Sequence, residues 1–304
     1  MQNNIPLQKI KDFLGTSIKF IHGNPKGLVI NKLSDPHNAD EFTLDWISSQ
    51  RKDKQRIAEQ SKAKALIVNN EVIYSESIKN QGKVLIIVDN PKLCIMKIAE
   101  EFFVNKSKFG VHTSAIIDPT SKIGENVYIG PNTVIGKSTI GDNTHIEGNC
   151  FIYDNIRIGV NCIIQAGAVI GTDGLGCSRE VDGSLIKFPH LGGVIIGDNV
   201  EIGANCQIAK GTLGNTIISD GCKINGMCFI AHNCILQKNV WITGSTMLSG
   251  SVSVGKNSTI FSNVVVREQI KIGESVTIGM GSVVTKHIPT GETWIGNPAK
   301  PIKK

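Results

Sequence analysis

From Ile117 onward the chain repeats an aliphatic residue at every sixth position. Ile117, Ile123, Ile129 and Ile135 set the frame, and after a one-residue slip Ile146, Ile152, Ile158, Ile164 and Ile170 continue it. The frame resumes at Ile196, Ile202 and Ile208, then runs unbroken from Ile218 to Val284 through twelve aliphatics spaced six apart. A helix repeats near 3.6 residues and a strand at 2, so neither produces this period. The pattern predicts a left-handed parallel β-helix over residues 108–288, in which three hexads close one triangular coil of roughly eighteen residues. Each hexad supplies a short strand and a turn, and its aliphatic stacks inward on the equivalent residue of the next coil. Glycines that follow the aliphatic, such as Gly124, Gly130, Gly197 and Gly255, are expected to serve the corners through their conformational freedom, and Asp-Asn or Lys-Asn pairs to form the turns.

Residues 1–107 follow a different pattern, that of a small α/β unit. PLQKIKDFLG has helical spacing at Leu7, Ile10, Phe13 and Leu14 and stops at Gly15. Apolar runs predict strands at 28–30, 65–68, 71–75 (EVIYS) and 84–88. A helix follows the last, capped by Asp89 or Asn90, opened by Pro91, and apolar at Leu93, Ile95, Met96, Ile98 and Ala99. Lys52 to Lys64 read as a charged helix facing mainly solvent. Residues 289–304 form a C-terminal tail.

Composition narrows the functional classes. A net charge of +6 over 304 residues, with basic residues scattered except at Lys300, Lys303 and Lys304, gives no nucleic-acid footprint. A phosphate-bearing small molecule or an acidic carrier protein suits that balance. The N-terminus lacks the basic start and apolar run of a secretory signal, and no apolar stretch has membrane-spanning length, so a soluble cytoplasmic protein without membrane insertion is expected. The eight cysteines contain no CxxC pair. Six of them (Cys150, Cys162, Cys206, Cys222, Cys228, Cys234) fall two residues before an inward aliphatic, where the corner admits a small side chain, so they read as small buried hydrophobes rather than as metal ligands or redox groups.

Function is expected where the period breaks. The longest break, Thr172 to Gly193 (TDGLGCSREVDGSLIKFPHLGG), predicts a loop thrown out from the coil as a flap over a site; a shorter break spans Lys210 to Thr216. Of the seven histidines, His232 in FIAHNCIL stands two residues beyond an inward aliphatic, near a corner. Eighteen residues on lies Gly250, whose bare backbone N–H comes close to the imidazole. The pair has the parts of a general base and an oxyanion donor.

The VHTSAIIDPTSKIG segment leading into the coil, the GTDGLG loop, and IAHN followed by SGS resemble the UDP-3-O-acylglucosamine N-acyltransferases of the lipid A pathway, over roughly residues 1–285. The resemblance implies an enzyme with His232 as the base that deprotonates a sugar amine and Gly250 N–H as oxyanion donor. It also implies a homotrimer with active sites between neighbouring coils, to which exposed Trp241 would belong. Asp173, Gly174, Asn225 and Asn233 would contact substrate, and Phe42 and Trp46 of the N-terminal domain would stack on the nucleotide base. Three positions differ from that family: Gln269 stands where a second histidine is expected, Asn225-Gly226 where an Asp-Asn pair is expected, and FTLDWISSQRK replaces the expected aromatic platform. The ending GETWIGNPAKPIKK is similar to that of sugar acetyltransferases that use coenzyme A and takes the place of a helical extension. There Lys300 and Lys303, with Gly279 and Gly281, would hold the coenzyme.

The composite is similar to N-acyltransferases of nucleotide-linked 4-amino-4,6-dideoxy sugars, including the anthrose-pathway type. The leading expectation is therefore acyl transfer, for instance of a 3-hydroxyacyl group, from acyl-CoA to the amine of a sugar such as dTDP-4-amino-4,6-dideoxyglucose in cell-surface glycan synthesis. The alternative is the lipid A enzyme itself, using acyl carrier protein, and a lesser one is a non-catalytic β-helix binding protein. Neither reading needs a permanently bound cofactor or a metal. A zinc carbonic anhydrase on the same coil would need converging histidines, and His145, His190, His232 and His287 are not spaced by multiples of eighteen. A sugar nucleotidyltransferase would need an N-terminal glycine-rich triphosphate loop, which the sequence lacks.

Overall fold

The unbroken apolar runs of the central strands in the N-terminal unit require cover on both faces of a sheet, and the computed structural model, which describes residues 4–34, 38–104 and 109–302, provides it. The chain divides into two units, residues 1–107 and 108–304. In the first, a five-stranded sheet runs in the order Ile18–His22, Val84–Val88, Ala65–Val68, Thr43–Trp46, Lys32–Leu33, parallel except for its first strand. Ala65, Ile67, Val84 and Ile86 pack on one face with the helices Leu7–Leu14 (α1) and Pro91–Phe102 (α4). Leu66, Val68, Leu85 and Ile87 pack on the other, where Lys54–Gln60 (α2) contributes Ala58 and Glu76–Asn80 (α3) contributes Ile78.

Asn90 caps α4 by accepting from Leu93 N–H. Leu93 and Met96, expected on its apolar face, are instead exposed, and Cys94, Ile95 and Ile98 are buried. EVIYS is not a strand. The Gln55 amide takes both backbone groups of Ile73 that a sheet would need, accepting from its N–H (2.8 Å) and donating to its carbonyl (3.2 Å), and Ser75 caps α3. Nor is α2 mainly solvent-facing: Lys54 is buried, donating to Ser49 O and pairing with Glu71.

The second unit is the expected β-helix, three parallel walls of strands two to four residues long. Wall 1 has eleven strands, from Gly110–Val111 to Thr293–Ile295 and a final Lys300–Pro301. Wall 2 has nine, from Ile116–Ile117 to Val283–Val284, and wall 3 eight, from Lys122–Ile123 to Lys271–Ile272. The inward aliphatics form one continuous buried column. The slip in the frame is a corner shortened by one residue between Ile135 and Ile140, after which Ile129 still pairs with Ile146. Thr293–Ile295 pairs in parallel with Thr277–Ile278, Lys300–Pro301 turns back antiparallel on it, and Trp294 joins the core at the end of the column.

The corner cysteines are buried as expected, while the role expected of the corner glycines is corrected. Left-handed backbone falls to asparagine, which fills twelve of the seventeen non-glycine positions of positive φ among the described residues. The glycines after the aliphatics are required instead by close stacking: a Cβ at Gly130 would lie 2.5 Å from Gly148 N, and one at Gly203 2.3 Å from Gly226 N. The corner cysteines also do more than fill space. Cys162, Cys222 and Cys234 direct S–H toward the backbone carbonyls of Gly197, Gln237 and Ser249 in the next coil, as Thr144 and Ser258 do with O–H toward Gly159 and Gly273. Burial pushes Cys222 up to about 11 and Cys234 up to about 12, far from thiolate chemistry.

Candidate active site

The edge of the coil between walls 2 and 3 carries both breaks in the repeat. The strand Phe229–Ile230 delivers His232 to this edge half-buried, and Ser251 N–H donates to its carbonyl from the coil above. The imidazole lies in a slot between two glycines. A Cβ on Gly250 would stand 2.7 Å from His232 Cε1 and 2.8 Å from Nε2; one on Gly174, in the longer loop, would stand 2.8 Å from Cδ2. Gly250 is therefore demanded by this ring, and Gly174 by this ring together with His190, whose Nε2 would lie 2.6 Å from the same Cβ.

The third side of the ring is fixed by hydrogen bonding. His232 Nδ1 lies 2.9 Å from Asn233 Oδ1, which also accepts from Thr212 N–H (3.2 Å) and Thr212 Oγ1–H (3.0 Å). A backbone N–H can only donate, so the Asn233 atom it faces is the oxygen, and the imidazole nitrogen facing that oxygen must carry the hydrogen. Neutral His232 is thus the Nδ1–H tautomer with its lone pair on Nε2, beside Gly250. The Gly250 N–H donates to no group among the described residues.

The longer loop is a hairpin, Cys177–Arg179 against Leu185–Lys187, with exposed apolar side chains at Leu175, Val181, Leu185 and Phe188. Its base is clamped. Asp173 pairs with Lys187 (2.6 Å) and Lys210 (2.9 Å), and these lysines hold its carboxyl down to about 2. Leu191 and Gly192 N–H both donate to Thr212 O, joining this loop to the shorter break. The loop also brings in His190, whose spacing from His232 had argued against an encounter. The two rings meet edge to face, 5.3 Å apart at 75°. His190 is buried; its Nδ1–H donates to Phe188 O (3.0 Å), and its Nε2 has no partner among the described residues. Burial lowers its affinity for a proton, the Phe188 carbonyl opposes this, and neighbouring His232 adds to the lowering.

The remaining expected residues are dispersed. Asn233 turns toward His232 and Thr212, and Asp173 toward its two lysines. Asn225 sits on the preceding corner, lining a cavity of about 190 Å³ with Gln165, Glu201, Lys223, Trp241 and Thr243. Gln269 lies on the same edge as His232, its N–H donating to Gly250 O. Lys300 is exposed on the returning strand, and Lys303 falls outside the described residues. Gly279 packs under Ile295, where a Cβ would meet Cγ2 at 2.4 Å, while Gly281 has φ 69° and open space. Both are two to three coils from His232, on the order of 10–15 Å along the axis. In the N-terminal unit Trp46 lines a cavity of about 560 Å³ with Leu33, Asp45, Ile47, Arg51 and Ile95; Phe42 is exposed and not part of that lining. His190, Lys187, Lys210 and Thr212 were missed from the sequence, although KFPHLGG does place a histidine just before the frame resumes. Among the described residues no group of three or more His, Cys, Asp or Glu could hold a metal ion, and no helix is long and apolar enough to cross a membrane.

Known proteins share this architecture. The family pattern described as bacterial transferase hexapeptide (six repeats) matches residues 137–172 and 251–286, and that of the hexapeptide repeat of succinyl-transferase matches 193–226. A UDP-3-O-acylglucosamine N-acyltransferase of Francisella tularensis is 36% identical over 260 residues, covering 78% of this chain and 73% of its own. One of Polynucleobacter asymbioticus is 29% identical over 236 residues, covering 68% and 66%. Among solved structures, a UDP-N-acetylglucosamine acyltransferase of Bacteroides fragilis superposes with a TM-score of 0.58 at 30% identity, over 64% of this chain and 74% of its own.

Proposed function

The chain belongs to the hexapeptide-repeat acyltransferases related to UDP-3-O-acylglucosamine N-acyltransferase, and from that premise we propose that it transfers an acyl group from a thioester to the amine of a nucleotide-linked amino sugar, UDP-3-O-acylglucosamine first among the substrates. The relatives weigh toward this sugar over the dTDP-4-amino sugar that the sequence had favoured. The observation that carries the chemistry is the His232 imidazole, locked between Gly174 and Gly250 with Nε2 as its free lone pair.

In the reaction the sugar amine attacks the thioester carbonyl and loses its proton to His232 Nε2. The carbonyl oxygen becomes an oxyanion and accepts from Gly250 N–H. Collapse of the tetrahedral intermediate breaks the carbon–sulfur bond, and the His232 proton passes to the departing thiolate. Such a base contributes about 10²- to 10⁴-fold and one oxyanion donor about 10²- to 10³-fold. The nucleotide would occupy the Trp46 cavity.

The outward column of wall 2 supports a homotrimer. Eight of its nine residues are apolar, among them Phe151, Phe229, Met247, Val265 and Val283, whereas the equivalent column of wall 3 includes Lys122, Thr139, Arg157, Ser253 and Lys271. Packing wall 2 about a threefold axis would cover this stripe and set the His232 edge at the rim of the subunit boundary.

A panel of UDP-, dTDP- and GDP-linked amino sugars, each offered with acyl-CoA or acyl carrier protein and followed by thiol release, tests the assignment. Turnover of UDP-3-O-acylglucosamine is expected, with kcat lowered 10²- to 10⁴-fold in His232→Ala. Full activity in that variant would remove His232 from the mechanism. A second reading, an acyl-CoA-dependent enzyme for 4-amino-4,6-dideoxy sugars, draws support from the closing strands Thr293–Ile295 and Lys300–Pro301, which present exposed Lys300 at the coil end. Turnover confined to a dTDP-4-amino sugar with acyl-CoA would select it.

A further inference from the structure

Thr212 belongs to the shorter break, and no repeat position predicts it, yet all its hydrogen-bonding groups are engaged at the site. Its N–H and Oγ1–H converge on Asn233 Oδ1 at 3.2 and 3.0 Å, and its carbonyl accepts from Leu191 N–H (2.6 Å) and Gly192 N–H (2.9 Å) at the root of the longer loop. One side of the residue faces the partner of His232 and the other faces the loop that brings Gly174 and His190 onto the imidazole. We propose that Thr212 is a positioning residue: it fixes the Asn233 amide with its oxygen toward His232 Nδ1, thereby keeps the Nε2 lone pair free, and ties that tautomer to the seated state of the loop.

An asparagine amide has nearly the same shape either way round, so a donor must choose its orientation. With the amide reversed, Asn233 would present N–H to His232 Nδ1, the proton would reside on Nε2, and the base would be lost. Two donors from one residue make the reversed state costly, because both would face an N–H. The catalytic consequence rests on the acyl-transfer reading; the tautomer does not.

Thr212→Val keeps the volume and the backbone N–H but deletes the hydroxyl donor, and Thr212→Ser keeps the donor. The expected results are a kcat about tenfold lower in Thr212→Val with KM for the amino sugar unchanged, the size of one lost hydrogen bond. Thr212→Ser should recover most of that loss. On an Asn233→Ala background Thr212→Val should have no further effect, because the two act through one atom. Equal losses in the serine and valine variants, a kcat within twofold of wild type in Thr212→Val, or full additivity with Asn233→Ala would each overturn the proposal. Imidazole ¹⁵N shifts of the unliganded protein give a readout that needs neither substrate nor a variant: His232 should show protonated Nδ1 and bare Nε2. The opposite tautomer in the wild-type protein would overturn the proposal on its own. The expected tautomer without transfer to any sugar in the panel would instead reject the substrate reading and leave Thr212 in place.

Discussion

An imidazole held between two bare α-carbons leaves no room for a methyl group on either side. Alanine at Gly250 would place Cβ within 2.8 Å of His232 Nε2, and at Gly174 within 2.8 Å of His232 Cδ2 and 2.6 Å of His190 Nε2, so the His232 ring, and with Gly174 its neighbour His190 as well, must shift from the position held against Asn233. Gly250→Ala and Gly174→Ala are expected to lower kcat about 10- to 100-fold while circular dichroism and the melting temperature stay near wild type, since a displacement of about 1 Å at a reacting group costs that much. Equal activity in both variants would mean that the ring is not held where it reacts. His232 and Gly250 were legible in the sequence because one uninterrupted coil separates them and stacking follows from counting. Gly174 could be named but not placed, and His190 and Thr212 were lost, because each lies in an excursion where counting by coils fails. Asn233 was visible beside His232, but its role depends on which way its amide faces, and Thr212 decides that through space.

The loop from Thr172 to Gly193 is the element in which charge and burial meet. Its Asp173 clamp has a depressed carboxyl, so the stability it contributes is fully present above the ordinary aspartate value of about 3.9 and is lost as pH falls toward about 2. His190 behaves differently. Burial lowers its folded-state value, so the open or unfolded chain takes up the proton first as pH falls below the ordinary histidine value of about 6.5, and the seated loop loses stability in that direction. The charged and titratable groups facing it are His232 on the coil and Asp173 and Lys187 on the loop. Amide protection across the hairpin Cys177–Lys187, corrected for intrinsic exchange, should therefore fall between pH 7 and pH 5 with the Asp173 pairs still formed. His190→Phe should flatten that dependence; an unchanged profile in the variant would assign it to another group. At this scale the sequence conveyed α1, α4 and the Asn90 cap, since helical spacing and capping chemistry are local. EVIYS was misread because the side chain that occupies its backbone, Gln55, comes from a distant helix.

The whole coil was legible from its period alone, because the same inward aliphatic recurs wherever the same corner recurs. The final turn was not. Thr293–Ile295 lies outside the hexad frame, and only the structure reveals Trp294 as the plug of the column. The apolar stripe of wall 2 could have been read from alternate positions but was masked by the stronger inward repeat. If that stripe joins three copies, the wild-type protein should sediment as a trimer, and Val265→Glu, which adds a charge at a half-exposed position in its middle, should sediment as a monomer with little activity. A monomeric wild type with full turnover would exclude a shared site. The stacking of coils also determines which changes in its gene this protein can survive. Each strand of the column bonds only to the coil above and the coil below, so loss or duplication of one whole coil returns every wall to register. A single residue can be dropped only at a corner, as between Ile135 and Ile140; within a strand it would turn the following aliphatics outward. Lineages of such a chain can lengthen or shorten by complete coils, while the edge that carries Thr212, His232 and Gly250 must be inherited intact.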